Sequence, residues 1–293
     1  MNQSIGIDLG GTRIKGVLMD RHTGEVLERR IVPTNDSETG SWKAVVQQIV
    51  QELKAATPHP VQGVGLAAPG LPTVDNSAIA CMPGRLPGLE GFNWGSFLHE
   101  RVRVLNDAHA AIMAEARFGA ARNITNAALI TLGTGVGGGL LVGGQLYQGF
   151  YQMAGHIGHI TVDADSDALD VTQLPGSLEE AIGNATVSRR SYGRYQTTHE
   201  LVAGYAAREP LATLVWLTSV RRLAVALASI ANLFSPEVVI LGGGITQANE
   251  ALFTPLETFM ELFEWRPAGK KTTICKAHFE DWAGAIGAAA CFN

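Results

Sequence analysis

Residues 8–13 of the 293-residue chain place a carboxylate, two glycines and a hydroxyl within one short segment. Glycines in a tight turn let backbone N–H groups approach a polyphosphate, because no Cβ stands in the way. Asp8, at the end of a strand-like run, can hold Mg²⁺ through water, and the hydroxyl of Thr12 can donate to a phosphate oxygen. The segment therefore fits a phosphate-binding turn. It fits a plain hairpin turn about equally well, since paired glycines are common there.

A second glycine-rich segment, residues 133–139, contains five glycines in seven positions. So many glycines weaken a strand for packing, so a purely structural role explains them poorly. A Rossmann fingerprint requires a helix after the glycines, whereas a strand follows here, and the Gly-Lys-Ser/Thr of a P-loop is missing. We therefore predict a second phosphate-binding turn.

A third glycine segment follows an apolar run at residues 239–241 and comprises Gly242, Gly243 and Gly244. A backbone without side chains allows a flat group, such as a purine ring, to lie on it. An ordinary strand-to-helix corner would have the same sequence, so this segment alone discriminates weakly.

Asn106 and Asp107 stand between a predicted buried strand and an alanine-rich predicted helix. Asn and Asp are favoured N-caps, which is the structural interpretation. In the functional interpretation Asp107 is a general base that takes a hydroxyl proton during phosphoryl transfer. The two interpretations are compatible, because a helix N-terminus also favours an ionised carboxylate.

His156 and His159 lie three residues apart in a segment with two glycines. Histidines at this spacing could ligate a metal or hydrogen-bond a polyol. A pair of histidines without further ligands is more often structural or substrate-facing than a metal site.

Strands and helices must position these segments. Alternating apolar residues on both sides of Gly10 and Gly11 predict a hairpin. Further strands are predicted at 25–32, 61–67, 102–105, 127–132 and 238–241, and helices over 45–53, 108–118 and 213–234. The arrangement of strand, glycine turn and strand occurs twice, about 120 residues apart, which indicates an internal duplication. The stretch 83–95, rich in Gly and Pro, is predicted to be irregular.

The composition argues against a nucleic-acid-binding, membrane-bound or disulfide-rich protein. A net charge of −5 without a dense Lys/Arg block gives no electrostatic footprint for nucleic acid or an anionic membrane. Three scattered cysteines suit a reducing cytosol rather than a disulfide framework. Residues 1–6 lack the features of a signal peptide, and the longest apolar stretch, 223–234, is too short to span a bilayer. We expect a cytoplasmic protein.

The ordered set of motifs resembles the ROK family of sugar kinases and repressors, within the actin-like ATPase superfamily. The resemblance covers nearly the whole chain, and its motifs lie at residues 8–13, 69–70, 106–107, 133–139, 158–159, 235–236, 242–244 and 283–288. It implies an α/β fold of two actin-like (ribonuclease H-like) domains, with mixed sheets flanked by helices and a nucleotide cleft between them. The expected domains are 1–107, completed by a C-terminal helix at 282–293, and 108–281. It also implies ATP and Mg²⁺.

Roles follow from the resemblance position by position. Asp107 corresponds to the catalytic base. Asp8 corresponds to the residue that contacts Mg²⁺ through water. The expected sugar-binding residues are Gly70, Asn106, His156, His159 and Glu179. The expected nucleotide-binding residues are Asp8, Gly10, Gly11, Thr12, Thr134, Gly135, Gly243 and Gly244.

Three departures from the family pattern stand out. The zinc loop CxCGxxGC is absent: no cysteine occurs from residue 160 to 179, although the glutamate of its CLE triplet survives as Glu179. Structural zinc takes four ligands, so we expect no zinc site. The frequent GExGH has His156 in place of its glutamate, and the usual Asn-Leu-Pro-Gly begins with Arg85.

The resemblance implies an ATP-dependent kinase that phosphorylates a hexose hydroxyl, commonly O6, in the manner of a glucokinase or fructokinase. An N-acetylhexosamine kinase, for N-acetylmannosamine or N-acetylglucosamine, is the alternative, because some relatives acting on N-acetylmannosamine also have histidine where His156 stands. A ROK-type regulator, an inactive sugar sensor and an ATPase with another acceptor are further alternatives. Regulators of this family usually carry an N-terminal helix-turn-helix, and we expect none here because the predicted hairpin begins at residue 4. We expect a homodimer.

Overall fold

The structure is a computed structural model that describes residues 2–34, 40–82 and 84–292. Contacts divide the chain into two compact units. Unit 1 comprises Met1–Asn123, Gly139–Ala154 and His278–Asn293, and unit 2 comprises Ile124–Gly138 and Gly155–Ala277. This grouping differs from the predicted domains, 1–107 with 282–293 and 108–281, chiefly because the helix after Asp107 packs within unit 1. The functional domain boundaries stay a prediction.

The strands account for most of the residues predicted to be extended. They are β1 (Gln3–Leu9), β2 (Arg13–Asp20), β3 (Val26–Pro33), β4 (Val61–Ala68), β5 (Leu71–Pro72), β6 (Ile79–Cys81), β7 (Val102–Asn106), β8 (Ala127–Leu132), β9 (Val136–Val142), β10 (Gln145–Leu146), β11 (Val238–Gly242) and β12 (Thr273–Lys276). The predicted hairpin and the five other predicted strands are confirmed, the latter to within about one residue. The short strands β5 and β6, and β12, were not predicted.

The helices include the three predicted ones. They are α1 (Ser41–Ala55), α2 (Trp94–Leu98), α3 (Asp107–Phe118), α4 (Leu178–Ile182), α5 (Val187–Arg190), α6 (Thr198–Ala206), α7 (Pro210–Phe234), α8 (Glu250–Phe263) and α9 (Ala283–Ala290). Short 3₁₀ turns lie at Ile157–His159, Asn184–Thr186, Gly244–Ala248, Pro267–Gly269 and Glu280–Trp282.

Unit 1 is built on a mixed five-stranded sheet with the strand order β3-β2-β1-β4-β7. β1, β2 and β3 are antiparallel neighbours, whereas β4 and β7 run parallel to β1. Successive residues of a strand point to opposite faces. Ile5 and Ile7 pack with Ile49 and Leu53 of α1 on one face, and Gly6 faces α9 on the other.

α9 lies unusually close to the sheet and to α3. A Cβ on Gly6 would overlap the carbonyl oxygen of Ala285, and a Cβ on Gly65 would overlap that of Ala288. On the side of α3, a Cβ on Gly287 would overlap the carbonyl oxygen of Ala110. Glycine at these positions lets the backbones approach directly, so α3 and α9 form one layer of unit 1.

The segment expected to be irregular, 83–95, ends in a short helix. α2 begins at Trp94, and the side chain of Asn93 caps it by accepting from the N–H of Ser96 at 2.8 Å. Trp94 is buried against Trp42, with ring centroids 5.7 Å apart. This long-range aromatic packing, which the local sequence does not show, holds the end of the segment. Pro83 lies outside the described residues.

The second five-stranded sheet has the order β10-β9-β8-β11-β12. β11 runs parallel to β8 and to β12, and β10 is antiparallel to β9. The order therefore repeats that of the first sheet: three strands successive in sequence, with the first strand beside a later parallel pair. This repeated order agrees with the predicted duplication.

The turn predicted over residues 133–139 is shorter than expected. The turn spans residues 133–135, and the last three glycines, Gly137 to Gly139, belong to β9. Close packing explains glycine within this strand, because a Cβ on Gly138 would lie 2.5 Å from the carbonyl oxygen of Gly155. The prediction of a turn was wrong for these three residues, of which Gly138 and Gly139 allow close packing.

α7 is the long core helix of unit 2. By length and composition it could cross a membrane, and it extends well beyond the apolar stretch at 223–234. Its residues are mostly buried, it packs against α4, α6 and α8, and the indole of Trp216 donates to the carbonyl of Ala251 at 2.8 Å. These are the features of a core helix.

Candidate active site

Asp8 is the penultimate residue of β1 in unit 1 and faces a cation across the hairpin. The β1–β2 register places it opposite Lys15, whose Nζ lies 3.9 Å from Asp8 Oδ2 and 2.8 Å from Asp281 Oδ1. Burial, enforced in part by Gly284 packed on the carboxylate, raises the pKa of Asp8 to about 7, while Lys15 partly lowers it. Lys15 and Asp281 were not predicted as site residues. The hairpin register could have identified Lys15, but Asp281 is remote in sequence.

The first glycine turn offers backbone donors. The N–H of Gly10 closes the turn by donating to Arg13 O at 3.1 Å, and the Gly10 carbonyl accepts from Thr34 Oγ1 at 2.6 Å. Across residues 2–34, 40–82 and 84–292, no hydrogen bond is recorded from the N–H of Gly11 or Thr12. Gly10 therefore shapes the turn, while Gly11 and Thr12 can donate to an anion.

Arg85 lies over this turn. Its guanidinium occupies the space that a Cβ on Gly11 would fill, and its charge lowers the pKa of Asp107. The side chain is exposed. In the sequence Arg85 is only a departure from the family pattern, and its position beside Gly11 depends on a contact between residues 74 positions apart in the chain.

Asn106 and Asp107 divide the two roles predicted for them. Asn106 is the N-cap of α3: its Oδ1 accepts from the N–H of Ala108 at 2.9 Å and of His109 at 3.3 Å. Its Nδ2 donates to the carbonyl of Gly70 at 3.0 Å, and the same side chain hydrogen-bonds the Asp107 carboxylate, which lowers the pKa of Asp107. Asp107 is the first residue of the helix and is not needed as its cap.

The carboxylate of Asp107 keeps solvent-accessible surface. Nevertheless, the protein packed around it raises its pKa, against the lowering effects of the Ala108 N–H and the charge of Arg85. A carboxylate with a raised pKa that still reaches solvent is suited to accept a proton.

In unit 2, the backbone carbonyl groups of the turn at 133–135 accept hydrogen bonds from the segment that follows α4. Gly133 O accepts from the N–H of Asn184 at 2.9 Å, and Thr134 O accepts from the N–H of Ala185 at 3.0 Å. Gly135 packs against Glu179, because a Cβ there would overlap Glu179 Oε2. The structure thus brings the predicted nucleotide turn and one predicted sugar ligand together.

Glu179, in the first turn of α4, is only 8% exposed. Its Oε2 accepts from the N–H of Val136 at 2.9 Å, while Oε1 is buried and has no hydrogen-bond partner in the described part of the chain. A buried carboxylate oxygen without a partner is costly unless a ligand donates to it. This oxygen is therefore positioned to accept from a hydroxyl group.

The two predicted histidines lie together, with nearly parallel rings and centroids 6.3 Å apart. His159 ends the 3₁₀ turn Ile157–His159, and its Nδ1 lies 3.3 Å from Oδ2 of Asp170. Among the described residues, no group of three or more His, Cys, Asp or Glu side chains could hold a metal ion. The absence of zinc stays a prediction.

The third glycine segment follows β11. Gly243 has φ +85°, and a Cβ there would overlap the backbone of Leu132. Gly244 has open space where its Cβ would be, and a 3₁₀ turn, Gly244–Ala248, follows it. The accessible backbone at Gly244 is compatible with the flat ring predicted for this position.

The repeated mixed sheets, each with a glycine turn after its central strand, define an α/β protein of the actin-like ATPase type. A sequence profile of the ROK family matches residues 4–293. The chain belongs to the ROK family.

Named relatives agree with this family. The chain is 29% identical to a glucokinase of Halalkalibacterium halodurans, covering 97% of this chain and 92% of the relative. It is also 29% identical to an N-acetyl-D-glucosamine kinase of Yersinia pseudotuberculosis, covering 97% of each. The crystal structure of the ROK hexokinase from Thermus thermophilus superposes with a TM-score of 0.84 at 26% identity, covering 98% of this chain and 97% of the hexokinase.

Proposed function

We propose that this carbohydrate kinase of the ROK family transfers the γ-phosphoryl group of ATP to a hydroxyl, O6, of a neutral hexose. The observation that carries the proposal is the placement of Asp107, a proton-accepting carboxylate, on the same unit as Asp8, Arg85 and the glycine turn. General-base carboxylates beside phosphate-binding turns are the parts that phosphoryl transfer requires.

In the proposed reaction Asp107 accepts the proton of the sugar hydroxyl. The hydroxyl oxygen forms a bond to the γ-phosphorus, the bond from that phosphorus to the bridging oxygen breaks, and ADP leaves with the electron pair. The N–H groups of Gly11 and Thr12 donate to phosphate oxygens, and Arg85 supplies positive charge nearby. In unit 2, Thr134, Gly135, Gly243 and Gly244 are assigned to the nucleotide.

The residues present fit Mg²⁺. Asp8 is a largely buried carboxylate whose pKa is raised by burial and by the nearby Asp107 and Asp281, and a divalent cation would favour its ionised form. Bound near Asp8 through water, Mg²⁺ would neutralise phosphate charge and align the phosphates.

Sugar binding is assigned to groups with remaining hydrogen-bond capacity. Glu179 Oε1 accepts from a hydroxyl, and the side-chain amide of Asn106, beside Asp107, is assigned to the sugar as well. His159 and His156 contribute imidazole groups, and Gly70 positions Asn106 through its carbonyl. None of these assignments requires a charged substrate, which agrees with a neutral hexose.

An N-acetylhexosamine is the second candidate acceptor. One observation favours it: His156 replaces the glutamate that is frequent in the family, so an imidazole stands where a carboxylate would accept from hydroxyl groups. An imidazole can donate to the acetamido oxygen, which a carboxylate cannot. The relatives named above include both a glucokinase and an N-acetyl-D-glucosamine kinase.

The test is a coupled ADP-release assay with glucose, mannose, fructose, allose, N-acetylglucosamine and N-acetylmannosamine. We expect release that depends on a neutral hexose, with a higher kcat/KM than for either N-acetyl sugar. The reverse order would support the second candidate. Release at the same rate without sugar would indicate an ATPase with another acceptor, and no release with any sugar would indicate a sensor or regulator.

We propose the cytoplasm as the compartment and a homodimer as the assembly. A cytoplasmic location agrees with the three free cysteines. Sedimentation at several protein concentrations tests the dimer.

A further inference from the structure

We propose that Asp170 is a positioning residue that holds His159 as the tautomer protonated on Nδ1, so that Nε2 accepts a hydrogen bond from the substrate. The inference concerns the sugar-binding role of His159 and therefore rests on the proposed function. The fixed tautomer itself can be measured without any sugar.

The carboxylate of Asp170 is fully buried and highly hydrogen-bonded. Its side chain is 0% exposed. Oδ1 accepts from the N–H of Thr172 at 2.8 Å, the hydroxyl of Thr172 at 2.7 Å and the N–H of Leu174 at 3.0 Å. These three donors occupy one oxygen and leave Oδ2 directed at His159 Nδ1, 3.3 Å away.

Asp170 is therefore an acceptor only. Burial alone would raise its pKa, but hydrogen bonds from Thr172, Leu174 and Ser177 outweigh burial and hold the pKa below its usual value. An ionised carboxylate has no proton to donate, so the nitrogen facing it must carry one. In a neutral imidazole the other nitrogen, Nε2, is then an acceptor.

The loop that carries Asp170 connects His159 to Glu179. Leu178 N–H donates to Ile160 O at 2.9 Å, and Val162 N–H donates to Gly176 O at 2.9 Å, so the two ends of the loop lie side by side. The His159 side chain keeps 32% of its surface exposed and can reach a ligand. The loop thus presents a carboxylate oxygen of Glu179 and an imidazole from neighbouring chain segments.

Asp170→Asn is expected to invert the tautomer while preserving the shape of the loop. The backbone N–H groups of Thr172 and Leu174 can only donate, so the amide oxygen must remain with them. The amide NH₂ then faces His159 and donates to Nδ1, which moves the ring proton to Nε2. Nε2 becomes a donor where it had been an acceptor.

The measurement is a two-bond ¹H–¹⁵N correlation of the histidine rings at about pH 8, where an ordinary histidine is neutral. His159→Gln assigns the signals. We expect Nδ1 protonation in the wild type and Nε2 protonation in Asp170→Asn. Thr172→Val is the matched control: it removes one donor to the same carboxylate and should leave the tautomer unchanged. An Nε2-protonated His159 in the wild type, or the same tautomer in wild type and Asp170→Asn, would overturn the inference.

Kinetics tests whether the tautomer matters to the substrate. A lost hydrogen bond weakens binding by about 2–10-fold. We expect KM for the hexose to rise by about this factor in Asp170→Asn, with KM for ATP unchanged and Thr172→Val near wild type. An inverted tautomer with an unchanged hexose KM would overturn the positioning role. Absence of sugar-dependent activity in the wild type would instead overturn the proposed function, and the NMR result would still decide the tautomer.

Discussion

At the scale of single residues, the N-terminus of one helix combines a structural cap, Asn106, with the proposed catalytic base, Asp107. The amide of Asn106 caps α3 and binds Gly70 O, so the carboxylate of Asp107 is released from capping. Asp107 Oδ1 accepts from the adjacent Ala108 N–H at 2.8 Å, and the Asn106 side chain also hydrogen-bonds this carboxylate. Substitution of Asp107 can therefore separate catalysis from helix stability.

Asp107→Asn should lower kcat by about 10²–10⁴-fold, which is the usual contribution of a positioned base. The Asn106 cap remains, so the denaturation midpoint should be almost unchanged, and sugar and ATP affinities should change little. Steady-state kinetics and thermal melts check both parts. Asp165→Asn makes the same charge change at an exposed position, and it should leave both kcat and the denaturation midpoint unchanged. A variant retaining more than about a tenth of the wild-type kcat would exclude Asp107 as a base of that strength.

Substitution of Asn106, in contrast, should lower the free energy of unfolding. Loss of its cap in Asn106→Ala would cost about 0.5–2 kcal/mol, because two helix N–H groups lose their acceptor.

Arg85→Gln should shift the acidic limb of the pH profile of kcat/KM to higher pH. The base must be ionised, and Arg85 lowers the pKa of Asp107, so removing the charge raises that pKa. Activity is then lost at a higher pH on acidification. Because Arg85 is exposed, the difference between the two profiles should shrink as salt is added. Coincident profiles at low salt would contradict an electrostatic role for Arg85.

At the scale of elements, α9 shows how the last described helix completes unit 1. Its small residues pack on β1, β4 and α3, with glycine at the points where backbones meet. Asp281 and Gly284, just before and at the start of this helix, contact Lys15 and Asp8. Packing of α9 therefore also shapes the surroundings of the candidate metal-side carboxylate.

Gly287→Ala should destabilise the protein by about 1–3 kcal/mol or more, because the new Cβ overlaps the Ala110 carbonyl and separates α9 from α3. Urea denaturation measures the change. Gly95→Ala is the control: its Cβ would have ordinary contact, 3.4 Å from Glu100 O, and it lies within α2. Equal stabilities for the two variants would show that the close approach is not important.

The loop between His159 and Glu179 is held by hydrogen bonds to Asp170 and has no cysteine. We therefore expect no zinc in protein purified without a metal-binding tag, and no change in melting temperature on chelation. Elemental analysis and a melt with a chelator make the measurement. Near-stoichiometric zinc whose removal unfolds the protein would contradict this expectation.

At the scale of the whole molecule, local patterns predicted most of the fold. Period-two apolar residues placed the hairpin, and apolar runs placed β4, β7, β8 and β11, because these strands bury most of their residues. β12 was missed because its residues are exposed or half-buried. α8 was not predicted, and it carries Pro255 inside its length, which ordinarily argues against a helix.

The candidate site was predictable where the chemistry is local and less so where it depends on distant residues. The glycine turns, Asp107 and the two histidines stand out in the sequence because their types and spacing carry the signal. Arg85 over Gly11, Asp281 beside Lys15 and Asp170 beside His159 depend on tertiary contacts. Their positions became apparent only from the folded chain.

The central claim is phosphoryl transfer from ATP to a hexose hydroxyl, and identification of the product tests it most directly. Phosphorus NMR of the wild-type reaction with ATP and glucose should show a phosphomonoester signal coupled to two protons, as an ester on the CH₂ of C6 requires. ADP should form in equal amount, and omission of sugar should abolish both signals. ADP and inorganic phosphate formed at the same rate without sugar, or no phosphomonoester from any hexose of the panel, would contradict the account.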